Sequence, residues 1–476
     1  MANSVSNKKV VKSATWYTIS SFSLRAISII TAPIFTRLLA TSDYGIASNF
    51  STWCTIVYSI TGLGLTTGII RGKLEFKEDY KRYLSSIQFL SLISAGIISL
   101  LCIIFLEPLS KLMVLDKILI VFMLVYLLTY PSVSFAQINY RFEYKYRENI
   151  LISVVNTFGT VVVSIALILM WTDYRYLGRC IGSIVPIIII GFFFCCKILY
   201  EGRCFYNKEY WKYALRISLP MVPHALAMQV LGQIDRIMII NICGESEAGI
   251  YSFGYSYAVL ISLLTNALNE AVQPMIYQWI EEKKYRKIDT LAKQIGIMVL
   301  FAAIFFIIVG PEVLTILGTK DFFDGRWVIF PVVIGSFFQY MYQNFTCVET
   351  YFKKTSIIAV GSISAAAINA ILNAFFIPRY GYLAAGYTTL VGYLFLMIFH
   401  YCGARKASNT KIFSLRYTVA ISIAAIILGL CCNMLYRYGV FVRYGVLIAS
   451  IAALSLLFHK QIKKLLPTIL DYIRSK

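Results

Sequence analysis

Charge is scarce in this chain. Asp, Glu, Lys and Arg make up 14% of its 476 residues, against about 25% in soluble domains. Acid is scarcer than base: 23 Asp and Glu face 44 Lys and Arg, a formal net charge of +21. There are three histidines, and the eleven cysteines show no CxxC spacing, so no metal centre and no other cofactor is expected. Cys102, Cys195, Cys196, Cys431 and Cys432 lie inside apolar runs, where a thiol serves as a small hydrophobe. No small-residue cleavage site follows the basic start at Lys8, Lys9 and Lys12. The first apolar run therefore reads as a retained helix, not a signal peptide. These shortages exclude a soluble enzyme, a disordered protein and a secreted disulfide scaffold.

What the chain has in excess is hydrophobicity: 59% of residues are apolar and the mean hydropathy is +0.72. Apolar runs of about 20 residues recur from end to end, each long enough to cross a hydrocarbon core of about 30 Å as a helix. The pattern predicts an all-α polytopic membrane protein with fourteen spans. They run near 14–36, 44–70, 85–106, 118–138, 149–171, 177–199, 217–241, 249–279, 289–310, 327–350, 356–377, 382–402, 417–436 and 443–459. In a soluble protein the basic excess would suggest nucleic acid. Here the Lys and Arg between the spans fall in alternate segments by roughly three to one. This is the positive-inside bias, and it predicts both termini in the cytoplasm and no nucleic-acid partner. The basic segments also stand where they would meet anionic lipid head groups.

Self-comparison shows a repeat. Asp43-Tyr44-Gly45-Ile46 resembles Glu247-Ala248-Gly249-Ile250, Tyr80-Lys81-Arg82 resembles Tyr285-Arg286-Lys287, and Tyr174-Arg175-Tyr176-Leu177 resembles Tyr380-Gly381-Tyr382-Leu383, at offsets of 204 to 206. Each pair sits at an equivalent topological position. The expected organisation is two six-helix lobes, residues 1–205 and 206–410, with an extra C-terminal helix pair and cytoplasmic tail in 411–476. Six spans is an even number, so the lobes share an orientation, as in alternating-access transporters whose binding site lies between repeats near the midplane.

Polar residues inside the spans mark the expected site, because a charge at the bilayer centre costs about 2.5–3.5 kcal/mol. Arg25 lies near mid-depth in the first span, between Leu24 and Ala26. The seventh span opens Leu219-Pro220-Met221-Val222-Pro223-His224 and continues to Gln229, Gln233, Asp235 and Arg236. Two prolines three apart bend or break a helix and free its carbonyls. In the eighth, Asn266, Asn269, Glu270 and Gln273 form one polar stripe at helical spacing. Glu270, Asp235 and His224 are the candidate groups for a coupling proton or cation. Asn369 and Asn373 make a smaller polar face, Glu349 reads as interfacial beside Lys353, and Tyr251, Tyr255 and Tyr340 are placed to stack on sugar rings.

Arg25, the turn Thr36-Arg37-Leu38-Leu39 … Asp43-Tyr44-Gly45, Leu219–His224, Asp235-Arg236-Ile237-Met238 and Gly249-Ile250-Tyr251-Ser252 together resemble the polysaccharide-repeat (O-antigen and capsule) flippases. These belong to the multidrug/oligosaccharidyl-lipid/polysaccharide exporter superfamily, and the resemblance spans essentially the whole chain. It implies a bacterial inner-membrane flippase for undecaprenyl-diphosphate-linked oligosaccharide, driven by a proton or sodium gradient and working beside a polysaccharide polymerase. Arg25 would then meet the diphosphate, since a guanidinium suits bidentate phosphate contacts. Arg37 and Arg236 would follow nearer the outer gate, and Asn266, Asn269 and Gln273 would line the polar cavity.

Three rivals stay open. A cation-coupled multidrug exporter needs an acidic, aromatic cavity. A peptidoglycan-precursor flippase shares the span count and the intramembrane arginines. A membrane glycan polymerase needs a large outer loop or paired carboxylates, and the longest outer loop, around 311–326, has neither.

Overall fold

The computed structural model describes residue 27 and residues 30–449. Arg25 and the end of the last expected span lie outside the described residues. Every regular element among the described residues is helical. Ten of these helices are long and apolar enough to cross a membrane, and a bent pair makes eleven. Fourteen is not reached by that measure, for physical reasons. The first and last spans run into undescribed residues. The helix Arg326–Tyr351 carries Gln339, Gln343, Asn344 and Glu349 among its aromatics, which dilute its hydropathy.

The chain divides into two compact units. The first runs to Ile250 and includes Leu317–Thr319; the second holds Tyr251–Ile316 and the chain from Lys320 onward.

In unit 1, a helical stretch at 30–38 (α1) leads into α2 (Thr41–Thr61) and α3 (Leu65–Glu75). The single span expected at 44–70 is thus two helices, bent by 46°. The break falls at Gly62-Leu63-Gly64, where Leu63 and Gly64 take positive φ, a conformation glycine permits. Hydropathy does not register it. Then follow α4 (Tyr80–Ile104), the short α5 (Leu106–Met113), α6 (Lys117–Phe142), α7 (Tyr146–Met170) and α8 (Arg175–Gly202). Leu119, Met123 and Leu127 of α6 pack with Cys180, Ile181 and Ile184 of α8 in the core. Only 11% of the spanning window of α7 is buried, which makes it the peripheral helix, its Leu151, Val155 and Val162 exposed.

The unit continues past residue 205 through α9 (Lys208–Ser218) and α10 (Val222–Ile242). Between them the expected proline break is a 3-10 turn, Leu219–Met221. It packs on the other break of the unit: the Gly68 amide donates to Ser218 Oγ at 3.1 Å, and a Cβ on Gly64 would lie 3.0 Å from the Ser218 carbonyl oxygen.

In unit 2, α11 (Glu245–Ala258, its start belonging to unit 1) is followed by α12 (Ile261–Glu281), α13 (Tyr285–Leu317), α14 (Arg326–Tyr351), α15 (Thr355–Tyr380), α16 (Leu383–Ser408), α17 (Leu415–Met434) and α18 (Val440–Ala449). Helix α14 is the centre of the unit, with Val328 to Ile334, Phe337 and Phe338 all buried. It packs on α16, α12 and α17. Helices α6, α8, α12, α14 and α16 each end beside a residue of positive φ: Tyr144, Arg203, Lys283, Lys353 and Asn409. That is the left-handed cap which satisfies last-turn carbonyls, here mostly without glycine.

Candidate functional site

The repeat motif around Gly45 and Gly249 has a structural cause. In unit 1 the first turns of α2 and α11 cross. A Cβ on Gly45 would run into the carbonyl oxygen of Glu245, and one on Gly249 into that of Thr41. Each glycine meets the residue four before the other, so the contact is reciprocal. Thr41 Oγ1 and Ser246 Oγ lie 2.7 Å apart beside it. Asp43 and Glu247 both stand in their helix's first turn, where a carboxylate offsets the unpaired N–H groups. Asp43 also accepts from the Ala40 amide at 3.1 Å. Nearby, Thr36 Oγ1 donates to the Leu317 carbonyl at 2.7 Å.

The expected cations divide. Arg37 is exposed, its Nη1 reaching Pro33 O of its own helix at 3.4 Å. Arg236 is half-buried on α10 and reaches Gly232 O at 3.4 Å. Its neighbour Asp235 is buried, as the roughly 100° between adjacent helix positions allows. His224 is half-buried in the first turn of α10. A further cation escaped the sequence reading: Arg179 of α8 lies 3.9 Å from the centroid of the Phe35 ring and donates to Ser164 Oγ at 3.1 Å. Its signal was an arginine inside Leu177-Gly178-Arg179-Cys180.

In unit 2 the polar stripe of α12 is real but does not act as one surface. Asn269 Nδ2 donates to Gln343 Oε1 on α14, and Gln343 Nε2 donates to Asn266 Oδ1 at 3.3 Å. Gln273 donates to Tyr277 of its own helix at 2.8 Å, while Glu270 is exposed. Asn369 and Asn373 are buried and bind α16: Asn369 donates to Thr389 at 3.2 Å, Thr388 donates to Asn373 Oδ1, and Asn373 donates to Asn369 at 3.3 Å. The three tyrosines offered for sugar stacking are buried in protein, Tyr251 at 0% exposure, Tyr340 at 1% and Tyr255 at 7%. They have no face for a sugar in this state.

Glu349 lies two residues from the end of α14, and it faces protein rather than solvent. It is fully buried and lies 2.8 Å from His400 Nδ1, which is fully buried too. The partners sit 51 residues apart on α14 and α16, a contact that no local spacing reveals. The carboxylate's second oxygen and His400 Nε2 have no hydrogen-bond partner among the described residues. No three His, Cys, Asp or Glu side chains gather into a metal cluster among the described residues.

Comparison with known proteins places this geometry. Over 94% of the chain the fold matches a lipid II flippase, MurJ, in an inward closed conformation, at a TM-score of 0.66 and 14% identity, covering 99% of that structure. Over 82% it matches an inward-facing multidrug resistance MATE family transporter of the MOP superfamily, at a TM-score of 0.63 and 14% identity, covering 98% of that chain. A curated relative, the Lsg locus putative protein 1 of Haemophilus influenzae (strain ATCC 51907 / DSM 11121 / KW20 / Rd), is 27% identical over 128 residues. That match takes in 26% of this chain and spans about a third, 32%, of the relative's length. The protein is multi-pass and membrane-embedded, with a fold that solved transporters and flippases share. Residues 10–280, more than half of the chain, match the family described as polysaccharide biosynthesis protein, and the chain belongs to that family.

Proposed function

We propose that the protein is a flippase that moves undecaprenyl-diphosphate-linked oligosaccharide repeat units across the bacterial inner membrane. The observation that carries this reading is the polysaccharide-biosynthesis match over residues 10–280 in a chain with the fold of solved transporters. The fold shared with a lipid II flippase supports a lipid-linked substrate. The reciprocal crossing of Gly45 and Gly249 supports two repeat lobes, 1–205 and 206–410, with 411–476 appended. In this reading both termini are cytoplasmic, and a polysaccharide polymerase takes the product at the outer face. The glycan is O-antigen or capsule repeat.

Arg25 binds the diphosphate, with Arg37 and Arg236 following toward the outer side. Asn266, Asn269 and Gln273 form the polar wall of the path. A proton or sodium gradient drives the cycle, and Glu270, Asp235 and His224 are the groups proposed to answer it. Arg25→Ala is expected to abolish export with normal membrane insertion. Arg25→Lys is expected to retain less than half the function, since a point charge loses the bidentate geometry. Glu270→Gln is expected to alter the gradient dependence.

Deletion of the gene tests the reading, with the lipid-linked intermediates and the surface glycan as readouts. Loss of surface polymer with repeat units held on the cytoplasmic face supports it. Normal polymer with altered sensitivity to cationic drugs overturns it in favour of a multidrug exporter.

A further inference from the structure

The second unit holds an acid–base pair in its interior for which packing supplies no use. Glu349 and His400 are both at 0% exposure and share a 2.8 Å contact. Each keeps one buried polar atom, Glu349 Oε1 and His400 Nε2, without a hydrogen-bond partner among the described residues. Both atoms abut glycine. A Cβ on Gly403 would run into Oε1, and one on Gly361 would lie 2.9 Å from Nε2. Two helices thus withhold their side chains where the pair's open atoms point.

The neighbours do not neutralise the pair. The Tyr342 ring stacks on the imidazole, centroids 5.6 Å apart, and Tyr393 lies beyond it at 6.4 Å. Helix α15 offers Gly361 and Ser362 there, and α12 meets α14 through Asn266, Asn269 and the Tyr277–Tyr351 ring contact. Helix α17 brings Tyr417 and Thr418, bonded elsewhere. The charged groups at these helix ends, Lys353, Lys354, Arg405, Lys406 and Arg416, are exposed. Among the described residues the ion-pair partner of Glu349 is His400.

We propose that Glu349 and His400 form a proton-binding site whose occupancy is tied to the closed packing of α14 against α16. This rests on the transport reading for its purpose, and it puts the proton ahead of sodium as coupling ion.

The reasoning is a charge count. With one proton the pair is neutral overall, as carboxylate with imidazolium or as carboxylic acid with imidazole. With none it carries −1, and with two it carries +1. A net charge in a buried, low-dielectric site is strongly disfavoured. The closed packing therefore requires one proton. A conformation that admits water to Oε1 or Nε2 lifts that requirement, and the proton can leave or arrive.

The test uses the full chain in lipid and two readouts. Infrared titration between about pH 5 and about pH 8, the range in which histidine normally switches, follows the buried carboxyl. The wild type is expected to show a protonation step that disappears in Glu349→Gln and moves in His400→Gln. Should those variants fail to fold, the double replacement Glu349→Met with His400→Phe removes both charges together, the change buried pairs tolerate best. It too must lack the step. No step in the wild type, a step that survives in folded Glu349→Gln or in the folded double variant, or an unmoved step in folded His400→Gln overturns the proposal. The second readout is transfer of a fluorescent undecaprenyl-diphosphate-linked sugar in vesicles. A pH gradient is expected to accelerate the wild type severalfold and to leave the double variant at its zero-gradient rate. Acceleration that persists in the double variant overturns the coupling role. Absence of transfer in the wild type at any gradient instead overturns the flippase reading, and the infrared result still decides the proton site.

Discussion

The two units contain a similar three-helix arrangement whose closest contacts differ in kind. In unit 1, α8 packs on α6 and α7; in unit 2, α16 packs on α14 and α15. At the repeat offset of 206, Val163, Leu167, Gly182 and Phe194 correspond to Asn369, Asn373, Thr388 and His400, and Glu143 corresponds to Glu349. Unit 1 joins its helices by close backbone approach. A Cβ on Gly182 would collide with Ser164, and one on Gly178 would lie 2.7 Å from the Ile168 amide. Unit 2 joins them by buried hydrogen bonds among Asn369, Asn373, Thr388 and Thr389. Glu143 lies half-buried at a helix end, between Lys73 at 3.1 Å and Lys145 at 2.7 Å, while Glu349 is buried with His400. The Glu349–His400 pair is fully buried whereas the Glu143 pairs are not, and that burial calls for a purpose beyond packing.

The contrast can be broken deliberately. The largest loss is expected from Glu349→Ala, which strands His400 in the interior. Removing one partner of a buried pair costs about 3–5 kcal/mol, and thermal unfolding in micelles should show it. Gly182→Leu comes next. Overpacking costs about 1–3 kcal/mol, and the upper end applies because backbone stands in the way. A Leu at Ala385, which is buried on the matching helix of unit 2, makes the fair comparison. Asn373→Leu should cost less, about 0.6 kcal/mol for each interhelical hydrogen bond lost in a membrane. Smallest is Glu143→Gln. Ion pairs with this much solvent contact contribute about 0–1 kcal/mol, so its unfolding curve should nearly overlay that of the wild type. A Glu143→Gln loss as large as that of Glu349→Ala would erase the contrast.

Much of this was legible in the sequence, and the failures have a pattern. Hydropathy located the helices, because burial in lipid leaves long apolar runs. The Pro220 and Pro223 signal gave the break before α10, since proline acts on its own backbone. The Gly45 and Gly249 motifs mark a reciprocal steric contact. The break at Gly62 to Gly64 went unseen because it resides in φ angles, while the flanking side chains stay apolar. The span expected at 327–350 is helix α14, Arg326–Tyr351, but what covers its polar residues was not legible, since a single sequence cannot say what packs against them. The Glu349–His400 contact was hidden for the same reason: Lys353 is the neighbour of Glu349 in sequence, His400 only in space.

The crossing at Gly45 and Gly249 is isologous in the sense used for two-fold dimers, each side presenting the same patch to the other. Within one chain this has a mutational consequence. In a homodimer a single substitution would spoil both halves of such a joint at once. Here Gly45→Ala and Gly249→Ala can be made one at a time, yet each sets its Cβ against the other glycine's amide nitrogen as well, at 2.9 and 3.1 Å, so either one strains both halves of the joint.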